Sequence, residues 1–129
     1  MHTKGVHHLS LDIRGRFSVP PQLRYRFEAS PEVVMTVAPD RCALALYALD
    51  EWEKVISKLD GISMIDKTSF HRKRRVIGYA VELDISHNRL IIPLTLIKYA
   101  GLNKNIVVIA EDTQITLLSL EEFEKHAEL

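Results

Sequence analysis

The sequence carries one pattern twice, which restricts the fold more than any other feature. Residues 11–20 read LDIRGRFSVP and residues 83–93 read LDISHNRLIIP. A shift of 73 positions aligns several further pairs: Arg16 with Arg89, Pro20 with Pro93, Leu23 with Leu96, and Val34 with Val107. An internal repeat of this kind indicates two related structural units. Because a unit of about 45–50 residues has too little interior to be stable alone, we expect the two halves to share one core.

Each half is predicted to be a small α+β unit. Apolar residues alternate around a polar turn, which is the pattern of a β-hairpin, and a short helix opened by a proline follows. In the first half we predict strands near 6–11, 16–19, 33–37 and 42–47, with the short helix near 21–28. Longer helices should follow Asp50 and Ser119, because Asp50 with Glu53 and Ser119 with Glu122 have capping-box spacing.

A linking helix is predicted between the halves. Residues 60–78 join the two units, Asp66 is placed to cap a helix, and the basic run HRKRR occupies 71–75. A run of this kind is more often a solvated helix face or a salt-bridge surface between subunits than a reader of the DNA groove.

The first polar turn, between the two strands of the first hairpin, has a composition that fixes its shape. Asp12 can accept hydrogen bonds from nearby backbone, and Gly15 reaches positive φ without steric penalty. Neither Arg14 nor Arg16 is required by the turn, and a pair between Asp12 and Arg16 would hold the Arg16 guanidinium in a fixed pose. In the second copy Asn88 stands where Gly15 stood, and asparagine also tolerates the left-handed conformation.

Composition favours one globular protein with local rather than overall charge. The 129 residues are 47% hydrophobic and carry 17 Lys+Arg against 17 Asp+Glu. The charges are segregated, however, since residues 1–26 contain five Lys+Arg and one Asp, whereas residues 111–129 contain six Asp+Glu and one Lys. No apolar run is long enough to span a bilayer, so we expect a cytoplasmic protein without membrane contact. The single Cys42 is predicted to be a small core residue.

Metal binding and catalysis are not indicated. His2, His7 and His8 have no spacing typical of a closed ligand set, and no carboxylate or cysteine nearby completes one. No nucleophile lies in a motif with an orienting base, and no glycine-rich phosphate loop is present. We therefore expect no cofactor, no metal and no enzymatic activity.

Several stretches together resemble the MraZ family. They are LDIRGRFSVP with PQLR, EVVMTV, CALALYALDEWEKVISKL, RKRRVIGYA, and NRLIIPLTLIKYAGLNKNIVVIAE. The resemblance implies two tandem SpoVT-AbrB-like, swapped-hairpin domains, at 5–50 and 78–121, joined by a helical linker at 51–77. The implied fold is α+β, a pseudo-symmetric double-psi-like β-barrel with flanking short helices.

The same resemblance implies a function. Members of the family are transcription factors that form ring-like homo-oligomers and bind double-stranded DNA with short G-rich direct repeats, normally as repressors of the bacterial division and cell-wall gene cluster. A nucleoid-associated location follows. The implied DNA-binding residues are Asp12, Arg14, Gly15 and Arg16 in the first loop, and His87, Asn88 and Arg89 in the second.

The second loop departs from the D-x-x-x-R signature of the family. Asp12 stands four residues before Arg16, whereas Asp84 stands five residues before Arg89. On this count the second loop is one residue longer than the first. An oligomeric scaffold or protein-interaction module with weak or lost DNA binding is therefore the alternative function.

Overall fold

The computed structural model describes residues 5–38, 42–61 and 66–125, and within them the chain has the predicted α+β architecture. The strands are β1 Gly5–Ser10, β2 Arg16–Ser18, β3 Glu32–Val37, β4 Leu44–Ala48, β5 Val81–Asp84, β6 Arg89–Ile91, β7 Asn105–Ala110 and β8 Ile115–Ser119. The α-helices are α1 Leu49–Asp60, α2 Lys67–Gly78, α3 Leu94–Ala100 and α4 Leu120–Lys125. A 3₁₀ helix, Pro21–Phe27, occupies in the first half the position that α3 occupies in the second.

The two halves are intertwined. Six strands form an antiparallel sheet in the order β1-β7-β8-β4-β3-β5, and β2 pairs with β6 in a separate two-stranded ribbon. The first strand of each half pairs with the third strand of the other half, β1 with β7 and β5 with β3. This exchange explains how two undersized halves share one interior. A closed barrel is not seen in the described ranges, where the larger sheet is open.

The core lies between the sheet and the ribbon. Its buried members include equivalent residues of the two halves, Leu23 with Leu96 and Phe17 with Leu90. Strands β3, β4, β7 and β8 are buried along nearly their whole length, because helices and the ribbon cover them. The ribbon therefore has one side fixed in the core and the other side free at the surface.

The helix caps agree with the sequence at two of three places. The Asp66 carboxylate accepts hydrogen bonds from the Thr68 and Ser69 backbone N–H groups at the start of α2, and Ser119 Oγ accepts one from the Glu122 N–H at the start of α4. The prediction that Asp50 caps α1 is wrong. Strand β4 leads directly into the helix, which begins at Leu49, so Asp50 lies inside the first turn. Its negative charge there interacts favourably with the partial positive charge at the N-terminal end of the helix.

Two further observations concern the surface. Cys42 is exposed, so the prediction of a core cysteine is wrong: it precedes β4 by two residues and lies outside that buried strand. In the described ranges, no helix is long and apolar enough to cross a membrane.

Candidate nucleic-acid interface

The first loop is a tight turn that joins β1 to β2. The Asp12 backbone N–H donates to the Arg16 carbonyl at 2.9 Å, and the Gly15 N–H donates to the Asp12 carbonyl at 2.9 Å. These bonds close the turn around residues 13–15. The predicted turn is therefore present at its predicted position, but the prediction of a β-hairpin is wrong, because β1 pairs with β7 and β2 pairs with β6.

The Asp12 side chain organises this turn. Its Oδ1 accepts hydrogen bonds from the Arg14 and Arg16 backbone N–H groups at 2.9 and 2.8 Å, and its Oδ2 accepts one from Arg16 Nε at 2.8 Å. The predicted pair between Asp12 and Arg16 is thus observed. The backbone hydrogen bond from Arg16 lowers the pKa of the Asp12 carboxyl, and the guanidinium of Arg16 lowers it further. The carboxylate is consequently charged at neutral pH.

The Arg16 guanidinium is held through its Nε atom, which leaves the terminal nitrogens to interact with a ligand. Asp12 engages Nε, and no other described residue hydrogen-bonds the guanidinium. Its two terminal nitrogens have no hydrogen-bond partner in the described ranges and can donate to a ligand. A planar fork in a fixed pose can take guanine O6 and N7 together, or two phosphate oxygens.

Gly15 has a backbone role at the base of this turn. It has φ of 79°, and its carbonyl accepts a hydrogen bond from the Ile92 N–H at 2.8 Å. A Cβ at this position would lie 3.0 Å from Ile97 Cδ1 and 3.1 Å from the Ile92 carbonyl oxygen. Glycine is required here both by the positive φ and by the close approach of the chain leading to α3.

The second loop is a two-residue turn between β5 and β6. Ser86 and Arg89 exchange backbone hydrogen bonds of 3.0 and 2.9 Å. His87 and Asn88 both have positive φ, 54° and 61°, which is the conformation of a type I′ hairpin turn. The predicted left-handed conformation of Asn88 is confirmed. The Asn88 carbonyl accepts from the Val19 N–H at 2.8 Å and is thus the counterpart of the Gly15 carbonyl.

The second loop is shorter than the first, so the prediction of an extra residue is wrong. The Ile85 N–H donates to the Pro31 carbonyl as the Leu11 N–H donates to the Lys104 carbonyl, which makes Ser86 the counterpart of Asp12. Asp84 lies back in β5. Counting from Asp84 misplaced the start of the turn, because the strand register, rather than the nearest carboxylate, sets it.

This register leaves Arg89 without a brace. Ser86 Oγ lies 3.0 Å from His87 Nδ1, within hydrogen-bonding distance, and no described residue forms an ion pair with Arg89. Arg16 and Arg89 thus occupy equivalent positions, but among the described residues only Arg16 is held by a carboxylate.

The ribbon brings both arginines to one surface. Arg16 pairs with Ile91, Phe17 with Leu90, and Ser18 with Arg89. Because successive side chains of a strand alternate, the buried central pair directs the outer two pairs toward solvent. Arg16 and Arg89 are diagonal neighbours on that outer face, roughly 7–8 Å apart, a spacing that long side chains can bridge. A two-stranded ribbon with polar side chains on its outer face has the width to enter the DNA major groove.

The positive charge of this surface is local. The depression beside the ribbon is lined by Arg16, Arg89 and His87, and also by Glu82 and Asp84. Two carboxylates near the arginines limit the general attraction to phosphates. Recognition therefore depends on placement of the arginines more than on bulk charge.

Other candidate groups lie away from this site. In the described ranges no three His, Cys, Asp or Glu side chains form a metal-binding group, and His2 lies outside them. His8 packs edge-on against Phe123. The basic run lies on the largely exposed helix α2, where Arg74 stacks on Phe70 and Arg75 hydrogen-bonds to the Tyr99 hydroxyl.

One residue of the turn was missed by sequence reasoning. Ile13 lies at the tip, between Asp12 and Arg14, and its relative exposure is 102%. The signal in the sequence was an apolar residue inside an otherwise polar turn. Alternation alone assigns such a residue to the buried side of a strand, and only the turn geometry places it in solvent.

Comparisons with known proteins agree with this architecture. The chain matches the family described as "MraZ protein, putative antitoxin-like" over residues 3–75 and 78–128. It is 30% identical over 128 residues to the Transcriptional regulator MraZ of Marinomonas sp. (strain MWYL1), with 97% of this chain and 85% of that protein covered. It is 38% identical over 118 residues to the protein of the same name from Halorhodospira halophila (strain DSM 244 / SL1), with 88% and 77% covered.

Proposed function

Since the chain belongs to the MraZ family, we propose that it is a sequence-specific DNA-binding transcriptional regulator. The observation that carries the proposal is the Asp12 turn, whose carboxylate fixes the Arg16 guanidinium at the surface. The residues of the proposed DNA-binding site are then Asp12, Arg14, Gly15 and Arg16, with His87, Asn88 and Arg89 in the second loop. Asp12 and Gly15 shape the turn, and the arginines contact DNA.

The target is double-stranded DNA with short G-rich direct repeats, and the regulator acts as a repressor of the division and cell-wall gene cluster at the nucleoid. Guanine offers two major-groove acceptors, O6 and N7, to one arginine guanidinium. A protein surface built from arginines is therefore suited to G-rich DNA.

The active form is a ring-like homo-oligomer. A protomer with formal net charge +0 has only a local cationic surface and binds a single site weakly, because non-specific affinity comes from neutralised phosphates. Several turns on one assembly, meeting repeated sites, raise the apparent affinity by about 10²–10⁴ through effective concentration. Repeats in the DNA and copies of the protein thus complement each other.

The domain division proposed is 5–50 and 78–121, joined by 51–77. The exchange of β1 and β5 between the halves supports this division and a double-psi-like arrangement of the strands.

The alternative function is an oligomeric scaffold with weak or lost DNA binding. The observation in its favour is the second loop, where Ser86 replaces the bracing carboxylate and Arg89 has no ion pair among the described residues.

A salt series distinguishes the two functions. We expect the affinity for a duplex with G-rich direct repeats to exceed that for a scrambled duplex of equal composition, and to fall steeply between about 50 and 200 mM salt as phosphate contacts are lost. Fluorescence anisotropy with the two duplexes measures both quantities. A scaffold would show neither repeat preference nor a steep salt dependence.

A further inference from the structure

Ile13 is the most exposed of the large apolar side chains in the described ranges. Its relative exposure of 102% exceeds that of Leu94 at 64% and Ile91 at 56%. Isolated apolar residues on a surface are common and need no explanation by themselves. The position of this one is unusual, because it lies at the tip of the braced turn with Arg14 next to it and Arg16 three residues on.

The turn holds Ile13 in a preset pose. Asp12 Oδ1 binds the backbone N–H groups of Arg14 and Arg16, and the Gly15 N–H closes the turn on the Asp12 carbonyl. The backbone on both sides of Ile13 is therefore fixed. A β-branched side chain adds little freedom at χ1, so little conformational entropy is lost when this side chain is buried by a ligand.

We propose that Ile13 is a specificity-determining residue that contacts the C5-methyl group of a thymine next to the guanine read by the turn. This inference rests on the proposed function. The thymine methyl is the apolar group that the bases present in the major groove, and aliphatic side chains contact it there. At the tip of the turn, the aliphatic side chain of Ile13 can contact the thymine methyl group while a neighbouring arginine donates to the acceptors of the adjacent guanine.

A second copy of this chain is the competing occupant. The exposed Leu94 and the partly buried Ile97 line the same depression as Ile13 and Asp12, so an apolar contact between protomers would also cover the tip. The charged neighbours favour DNA, because Arg14 has no side-chain partner among the described residues and the phosphates beside a base step offer acceptors to an arginine.

The test removes the methyl group from the DNA and the side chain from the protein. A duplex selected from a random pool by the wild-type protein is synthesised in two forms, with thymidine or with deoxyuridine throughout. We expect the wild type to bind the uracil form about fourfold more weakly per methyl group contacted. Ile13→Ala should bind both forms equally, at about the affinity of the wild type for the uracil form, so that the two changes are not additive.

Val6→Ala is the matched control, since Val6 is 48% exposed and lies at the far end of β1 from the turn. It should keep the difference between the two forms. Tight binding by the wild type without any such difference, or a difference that persists in Ile13→Ala, overturns the inference and leaves the proposed function standing. A changed assembly size of Ile13→Ala in light scattering also overturns it, in favour of the second copy. Failure to select any duplex overturns both.

Discussion

Arg16→Ala is expected to abolish sequence-specific DNA binding while the assembly keeps its wild-type size. One bidentate contact to guanine contributes about 1–3 kcal/mol of discrimination, and the loss is repeated at every turn that engages the DNA. The protein should remain folded, because Arg16 lies on the outer face of the ribbon. Anisotropy titrations with a selected duplex, together with size-exclusion chromatography, measure the two properties. A wild-type profile with an affinity within a factor of two of wild type would refute the role of Arg16.

Three further variants test whether the loss of DNA binding comes from the turn that Asp12 holds in place. Arg89→Ala should cost less than Arg16→Ala, because no carboxylate in the part of the chain that the structure describes pairs with Arg89. Arg72→Ala removes the same charge from α2 and should have little effect. Asp12→Asn keeps an oxygen for the backbone N–H groups but removes the ionic bond to Arg16 Nε, so an intermediate loss is expected. Equal losses in Arg16→Ala and Arg89→Ala would show that the brace is not needed.

The number of repeats in the duplex should change the affinity even more than a mutation. We expect duplexes with two or four repeats to bind about 10²–10⁴-fold more tightly than a duplex with one, because further turns bind at high effective concentration. The salt dependence should steepen in the same order as more phosphates are contacted. Inserting roughly 5 bp between repeats should weaken binding, since it moves the second site to the opposite face of the duplex.

A titration of one-, two- and four-repeat duplexes at several salt concentrations tests this expectation. Equal affinities and equal salt slopes would mean that one turn does all the binding. A ring-like assembly would then have no part in DNA recognition.

The sequence predicted those features that follow from local chemistry. The repeat of Arg16 at Arg89 predicted two related halves, the composition of the first loop predicted the pair between Asp12 and Arg16, and Asp66 predicted a helix start. The last two depend on neighbours within a few residues, and the first depends on the internal repeat itself. The residues alone predicted a shared core but not which strands exchange, because pairing partners such as β1 and β7 are about 100 residues apart in the chain. Swapped hairpins were implied only by the resemblance to the family.

The errors arose where strand register, strand boundaries or turn shape decide the outcome. Asp84 was taken as the counterpart of Asp12, but the hydrogen bond from Ile85 to Pro31 sets the register and assigns that place to Ser86. Cys42 was assigned to the core because it opens the apolar run CALALY, but the buried strand of that run begins only at Leu44. Ile13 was overlooked because its exposure follows from the shape of the turn.

Photocrosslinking followed by peptide mapping tests the central claim most directly. A duplex of G-rich direct repeats that carries 6-thioguanine in place of one guanine per repeat is irradiated with the wild-type protein, and the crosslinked residues are identified by mass spectrometry. The crosslinks should fall within residues 12–16, with weaker ones in 86–91. Crosslinks confined to the basic helix α2, in residues 67–78, would contradict recognition of bases by the Asp12 turn.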